Sequence, residues 1–306
     1  MSAKNESGSY RDIFLALLAN LGIAVAKLVG AFFTKSASLL AEGIHSLADC
    51  ANQVFLLIGA QKSKKPADEL HPLGYGRETF FWSFLVALML FSMGGLFAIY
   101  EGIHKLTAEA TALQFPWVGL TILVLALGLE SISFWACLKE IRKQNQEPNL
   151  WIWFQKSTAS ELIVIFIEDL AALVGLTLAL IFLVISLITG NSMWDALGSV
   201  VIGILLVSVA FILAREVKSL LLGEKSSTDY KTFITQRLQL LDSGMYVLNI
   251  LSVVTGSREV LLTMKVHPGK IADSYELIRI INALEEDIKK QFPEIRWLFV
   301  EPDLTD

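Results

Sequence analysis

The sequence predicts a polytopic α-helical membrane protein with six transmembrane helices, followed by a small cytoplasmic α+β domain. Two observations carry this. Of 306 residues, 54% are hydrophobic and 18% charged, with a mean hydropathy of +0.57, a balance unlike that of a water-soluble domain. The apolar residues are gathered in the first two thirds of the chain, in runs of the about 20 residues that cross a bilayer as a helix. After Gly223 charged residues become frequent and apolar runs shorten.

The runs cover roughly 12–34, 37–61, 79–104, 114–138, 158–188 and 194–214. The fifth is longer than a bilayer needs and is expected to tilt or to project beyond it. Lys62, Lys64, Lys65 and Arg77 fall between the second and third runs, and Lys139, Arg142, Lys143 and Lys156 between the fourth and fifth. The opposite loops offer little beyond Lys35 and Lys105. The excess of Lys and Arg places the two basic loops, and with them both termini, in the cytoplasm. Met1 to Tyr10 are polar and the first apolar run is itself a full span, so no cleavable signal peptide is expected. Trp117, Trp151, Trp153 and Trp194 fall at span ends, where an aromatic belt accounts for them.

The remainder reads as a helix (227–241), two strands (246–255 and 259–267), an amphipathic helix (274–292) and a last strand (295–301). The chain is thus expected to divide into a transport domain, 1–222, and a cytoplasmic αββαβ domain, 223–306. At about 80 residues the latter is more plausible as a dimerisation or regulatory module than as an enzyme. Cys50 and Cys137 fall on different spans and are expected to pack rather than pair. The net charge of −5 gives no reason to expect a nucleic-acid partner.

Function is indicated by the charges inside the spans. His45 and Asp49, four residues apart, share one helix face, and ionisable groups in a bilayer are costly without a partner or a cation. Glu42, His45, Asp49 and Asn52 recur at i, i+3, i+7 and i+10, a single polar stripe. Glu168 and Asp169 of the fifth span come out near the same depth, roughly 18 Å from the cytoplasmic end against roughly 16 to 22 Å for Asp49 and His45, at about 1.5 Å per residue. Lys27 in the first span is expected to pair with Glu42, and Glu130 in the fourth is the competing partner. Asn20, Asn52 and Gln53 suit interhelical hydrogen bonds. Neutral imidazole with carboxylates suits zinc, cobalt or iron(II) better than magnesium or calcium. The His-Glu-x-x-His pattern of a membrane metalloprotease is absent, and the chain is not expected to be an enzyme.

The stretch Ser36-Ala-Ser-Leu-Leu-Ala-Glu-Gly-Ile-His45-Ser-Leu-Ala-Asp49, followed by Pro66-Ala-Asp68-Glu-Leu-His71-Pro-Leu-Gly74-Tyr75-Gly76-Arg77, resembles the cation diffusion facilitator family. Ile167-Glu168-Asp169 and Phe299-Val-Glu-Pro-Asp303 resemble a subgroup related to mitochondrial zinc transporters. The resemblance implies a homodimeric exporter of divalent metals with six spans, a metallochaperone-like cytoplasmic domain, and exchange of metal against protons. His45 and Asp49 are carried over as metal ligands. The family's fifth-span pattern is a His or Asp followed four residues later by Asp; Asp169 fits the second position and Ile165 occupies the first, so Glu168 becomes the replacement ligand. A loop site of Asp, His and His in the family corresponds here to Asp68, His71 and Tyr75, which leaves at most a transient site. The soluble domain holds only His267, with Glu301 and Asp303 nearby in sequence, and is not expected to bind metal. Arg77 matches the basic member of a charge interlock whose acidic position holds Leu222, so Glu224 or Glu216 would have to substitute.

The expectation is therefore a proton-coupled antiporter that exports zinc from the cytoplasm by alternating access. Iron(II), cobalt, cadmium and manganese are alternative cargoes, and no cofactor is expected. Its partners would be a second copy of the chain, the metal, protons and lipid, with the protein in a bacterial inner (plasma) membrane. The competing readings are a metal-gated channel and a non-transporting membrane sensor or scaffold.

Overall fold

The computed structural model describes residues 3–108, 114–144, 149–150, 152–153, 157, 160–240, 244–271 and 273–305. Trp151 and Lys156, assigned above to the aromatic belt and a basic loop, lie outside them. The first part of the chain is built from long helices: α1 (Ala3–Thr34), α2 (Ala37–Ser63), α3 (Glu78–Met89), a π-helical segment (Leu90–Leu96), α4 (Phe97–Thr107), α5 (Pro116–Gln144), α6 (Ser160–Thr189) and α7 (Met193–Leu222). Four of the predicted apolar runs fall inside these helices, the third of them across α3, the π segment and α4 together, while the fourth and fifth begin two residues ahead of α5 and α6.

Among the described residues, four helical stretches are long and apolar enough to cross a membrane: Glu78–Thr107, Pro116–Lys143, Ser160–Thr189 and Met193–Leu222. Six were expected. In α1 the described apolar part is the shorter Asn20–Thr34. The 27-residue α2 is diluted by the stripe of Glu42, His45, Asp49 and Asn52, so the residues that make it interesting also lower its apolarity.

The helices pack through Leu39, Leu90, Leu123, Leu176, Leu183, Ile202 and Leu206. Small residues let backbones approach. A Cβ on Gly95 would stand 2.5 Å from Val207 Cγ2 and 2.9 Å from its backbone nitrogen, and one on Gly203 would stand 2.7 Å from the Ile99 nitrogen. The π segment contains Gly94 and Gly95. A single extra residue per turn in a helix is usually a local bulge at a functional place, and here glycines supply the backbone freedom.

The start of α2 is fixed by a residue far away in sequence. Asp195, 1% exposed at the start of α7, accepts from the Ala37 backbone N–H (2.5 Å) and the Ser36 hydroxyl (2.7 Å), and also from the Ser38 hydroxyl. The carboxylate thus caps a helix N-terminus it does not belong to, satisfying a backbone donor that would otherwise be unpaired.

A second compact unit takes in the described parts of 60–80, 150–160 and 218–306. It contains α8 (Tyr230–Leu240), β1 (Tyr246–Gly256), β2 (Glu259–His267), α9 (Ser274–Gln291) and β3 (Ile295–Pro302), the expected αββαβ order. β1 and β2 pair antiparallel as a hairpin, and β3 joins β2 in parallel after the α9 crossover. Ile234, Leu238, Leu262, Met264, Val266, Leu284, Ile288 and Leu298 form its core. The first helix begins at Tyr230 rather than Ser227, since Asp229 binds the Thr232 N–H (3.3 Å) and hydroxyl (2.6 Å) as an N-cap does.

The connector between α2 and α3 clusters with this unit rather than with the helices. Gly76 lies against the β1–β2 turn, where a Cβ would come within 2.8 Å or less of Glu259 Oε2 and the Thr255 carbonyl. Arg77 brings its guanidinium against Gly223, 3.2 Å from where a Cβ would stand. Among the described residues it forms no ion pair with Glu224, and Gly223 adopts φ +97°.

Candidate metal site

Four helices, α1, α2, α5 and α6, bring the charged residues together. Gly43 allows α1 to lie close to α2, since a Cβ there would stand 2.8 Å from Leu28 Cδ2 and 3.2 Å from the Leu28 nitrogen. That approach places Lys27, fully buried, beside the polar stripe. Its amine donates to Glu42 Oε2 (3.3 Å) and Ser46 Oγ (2.7 Å). The expected Lys27–Glu42 pair is present, and a buried charge needs such a partner.

One turn along α2, His45 Nδ1 lies 3.5 Å from Asp49 Oδ1. Both ring nitrogens of His45 and Oδ1 of Asp49 are shielded from solvent and have no hydrogen-bond partner among the described residues. Buried polar atoms are rarely left so, and this one imidazole and its neighbouring carboxylate present three such atoms together. The π segment flanks them, with Gly94 placed so that a Cβ would stand 3.7 Å from His45 Nδ1.

Glu168 and Asp169 approach from α6. The Asn52 amide donates to Glu168 Oε1 at 2.6 Å, so the amide expected to be interhelical glue joins α2 directly to a predicted ligand. Asp169 Oδ2 accepts from Ser133 on α5 at 3.4 Å. Adjacent residues on a helix point about 100° apart, and these two face different neighbours accordingly. Asp49, Glu168 and Asp169 lie close enough to feel one another's charge. Glu130 on α5 acts on His45, Asp49 and Asp169. Weighed above only as a partner for Lys27, Glu130 belongs with this acidic cluster. Its signal was legible as the one charge in the run 114–138.

Among the described residues no three His, Cys, Asp or Glu side chains close to the spacing of a preformed metal centre. His45, Asp49, Glu168 and Asp169 therefore share a neighbourhood but not a shell, with Glu168 turned to Asn52 and Asp169 to Ser133. Cys50 and Cys137 are buried free thiols, as a packing role requires.

The loop candidates are engaged elsewhere. Asp68 Oδ2 accepts from the Tyr75 hydroxyl (2.8 Å) and Lys65 (3.1 Å), while Oδ1 accepts from the backbone N–H of Leu70 (3.1 Å) and His71 (2.8 Å). These bonds, the Tyr75 hydroxyl first, hold the Asp68 carboxyl well below the usual carboxylate range. His71 packs on Tyr75 with ring centroids 4.2 Å apart and the planes tilted by 38°, its Nδ1 3.6 Å from Asp68 Oδ1. Asp68 and His71 do meet, but the cation beside them is the Lys65 ammonium. In the soluble domain, His267 Nδ1 accepts from the Gly269 N–H (3.0 Å) and its ring stacks on Tyr246 at 4.7 Å. Asp303 bonds Lys265 at 2.8 Å.

Comparison with known proteins decides the family. Residues 13–222 match the cation efflux transmembrane domain. The chain belongs to the cation efflux family, the cation diffusion facilitators. With its long apolar helices it is an integral membrane protein. It is similar to metal tolerance protein C4 of Arabidopsis thaliana, 31% identical over 72% of this chain and 48% of that one. A mitochondrial proton-coupled zinc antiporter of Xenopus laevis is 30% identical over 70% of this chain and 38% of its own length. The chain thus spans less than half the length of these two relatives. The manganese efflux system protein MneP of Bacillus subtilis is 24% identical over 98% of this chain and 97% of its own. This cation efflux protein therefore carries the family's helical domain, together with the subgroup likeness that Ile167-Glu168-Asp169 pointed to.

Proposed function

We propose that this protein exports a divalent metal, zinc first, from the cytoplasm in exchange for protons, by alternating access about His45, Asp49, Asp169 and Glu168. The observation that carries the reading is the buried His45 imidazole, neither of whose nitrogens has a hydrogen-bond partner among the described residues, beside Asp49 Oδ1, which likewise has none. A borderline metal ion is the ligand these atoms suit, whereas manganese prefers oxygen donors. The open arrangement fits a cargo that must leave as well as arrive. Asn52 and Ser133 hold the α6 carboxylates in the waiting state, and metal arriving at His45 and Asp49 draws them in. Metal needs the imidazole neutral and the carboxylates ionised, so protons and metal compete for the same atoms. Crowded carboxylates in a poorly solvated site cannot all stay charged without a cation, so the return step carries protons.

The rest of the proposal follows the topology. α1, α2, the α3–α4 rod, α5, α6 and α7 form six spans within 1–222, with the basic loops and both termini in the cytoplasm. The domain 223–306 serves dimerisation and regulation, and the working unit is a homodimer. The likeness, over 70% of this chain, to a protein named a proton-coupled zinc antiporter supports cargo and coupling. A panel of zinc, cobalt, iron(II), cadmium, manganese and magnesium offered to proteoliposomes tests it. Zinc should be carried fastest, and Asp49→Ala should abolish its movement. Carriage of magnesium in preference to zinc, or wild-type rates in Asp49→Ala, would overturn the assignment.

A further inference from the structure

Glu42 carries more than its ion pair requires. It is fully buried, and only Oε2 is engaged, at a long 3.3 Å from Lys27 Nζ. Charge-assisted bonds of this kind are normally about 2.7 to 2.9 Å. The shorter bond of Lys27 goes to Ser46 Oγ, 2.7 Å away, so the amine keeps an anchor if Glu42 lets go. Oε1 of Glu42 has no hydrogen-bond partner among the described residues. It occupies the place where Gly175 of α6 has no side chain; a Cβ there would stand 2.5 Å from it. A carboxylate serving only to neutralise Lys27 has no need to aim its second oxygen at a neighbouring helix.

The position of that oxygen matters. Glu42 precedes His45 by three residues, about 4.5 Å of helix rise, and the two groups feel each other's charge. In the proposed orientation α2 runs from the outer surface inward, so Glu42 lies one turn outside His45. Gly175 likewise lies on the outer side of Glu168 and Asp169 along α6.

We propose that Glu42 Oε1, together with the His45 imidazole, forms a second, outward station for a divalent cation, through which cargo leaves the His45–Asp49 site. The proposal rests on the transport reading above. An imidazole nitrogen and a carboxylate oxygen are the donors a zinc-like ion takes. The Lys27 ammonium stands beside the station as a tethered competitor. It keeps the site weak, and an ion on its way out must bind well enough to enter and poorly enough to leave.

Zinc binding to the detergent-solubilised full chain and zinc flux in proteoliposomes are compared for wild type, Glu42→Gln and the double variant Lys27→Met/Glu42→Gln. Replacing both members of a buried ion pair by neutral groups is usually well tolerated, so the double variant keeps the test interpretable if Glu42→Gln alone misfolds. Both variants should bind zinc at wild-type affinity through His45 and Asp49, with maximal flux lowered by about tenfold or more. Wild-type flux in the double variant would show that Glu42 only neutralises Lys27 and would overturn the station while leaving the transport reading intact. Loss of equilibrium binding in the double variant would overturn it too, by making Glu42 part of the inner site. Absence of zinc flux in the wild-type protein would defeat the transport reading itself, and the station with it.

Discussion

Asn52 of α2 donates its side-chain amide to Glu168 of α6 at 2.6 Å, tying the helix that carries His45 and Asp49 to the helix that carries the other two predicted ligands. A buried carboxylate left without this donor costs about 1 to 3 kcal/mol. Asn52→Leu should therefore lower both the thermal stability of the detergent-solubilised protein and its zinc flux, whereas Asn52→Gln should retain part of each. Unchanged flux in Asn52→Leu would show that the bond has no part in holding Glu168.

His45→Ala, Asp49→Ala and Asp169→Ala should each abolish zinc transport without loss of assembled protein, since each removes a donor from a poorly solvated site. Glu168→Gln should be nearly as damaging. Normal zinc affinity in Glu168→Gln would make that residue structural.

The positions of the long helices, the αββαβ order and the Lys27–Glu42 pair were legible because each leaves a periodic or isolated signal in the sequence, whereas the start of α8 was set by the Asp229 cap. An apolar run and a strand bounded by turn residues each have one reading, and a lone lysine in a span calls for a buried carboxylate, which left Glu42 and Glu130 as the candidates. The role of Asp195 was not legible. Its bonds to Ser36, Ala37 and Ser38 cross more than 150 residues, and no local pattern announces which distant helix end a carboxylate will cap. The π segment was hidden for a related reason, because Gly94 and Gly95 read equally well as small residues in a regular span. The loop site was half legible: Tyr75 in place of an imidazole announced the loss of a ligand, but not that Lys65 would take the position of the cation.

Asp195→Ala removes the acceptor shared by three donors at the start of α2, of which the Ser36 and Ser38 hydroxyls can still bond each other at 3.2 Å while the Ala37 N–H cannot, and should destabilise the protein by about 1 to 3 kcal/mol, read as a lower melting temperature. Asp195→Asn keeps an acceptor and should lose less. Equal melting temperatures for wild type and Asp195→Ala would remove the cap from the account.

Gly95→Ala places a Cβ 2.5 Å from Val207 Cγ2 and 2.9 Å from a backbone nitrogen, and overpacking of this kind costs about 1 to 3 kcal/mol. The variant should lose both stability and flux, and Val207→Ala should recover little of either because the backbone clash remains. Full activity of Gly95→Ala would show that the α3–α4 rod and α7 separate freely.

The Asp68–Tyr75–Lys65 latch has a defined pH window. The carboxyl of Asp68 is depressed, so its contribution is present above the ordinary carboxylate pKa and lost as pH falls through the lowered folded value. Bonds to Tyr75 first and Asp68 second raise the Lys65 ammonium, so its contribution is complete below the ordinary lysine pKa and lost as pH rises through the raised value. Protease resistance of the α2–α3 connector should therefore be flat from about pH 5 to 9. Tyr75→His combined with Lys65→Ala should restore a metal-binding trio with Asp68 and His71, detected calorimetrically as one added zinc per chain. No added zinc would show that the loop backbone, and not the lost imidazole, decides against metal.

The central claim is that metal and protons exchange at the His45 and Asp49 site with the α6 carboxylates. Zinc flux and internal pH recorded together in proteoliposomes test it most directly. A proton gradient directed against zinc movement should accelerate zinc export, with protons moving the opposite way and apparent zinc affinity falling as pH drops from about 8 to 6, the range in which imidazole titrates. Zinc movement without opposite proton movement, at an affinity flat across that range, would contradict the antiport account and leave a channel in its place.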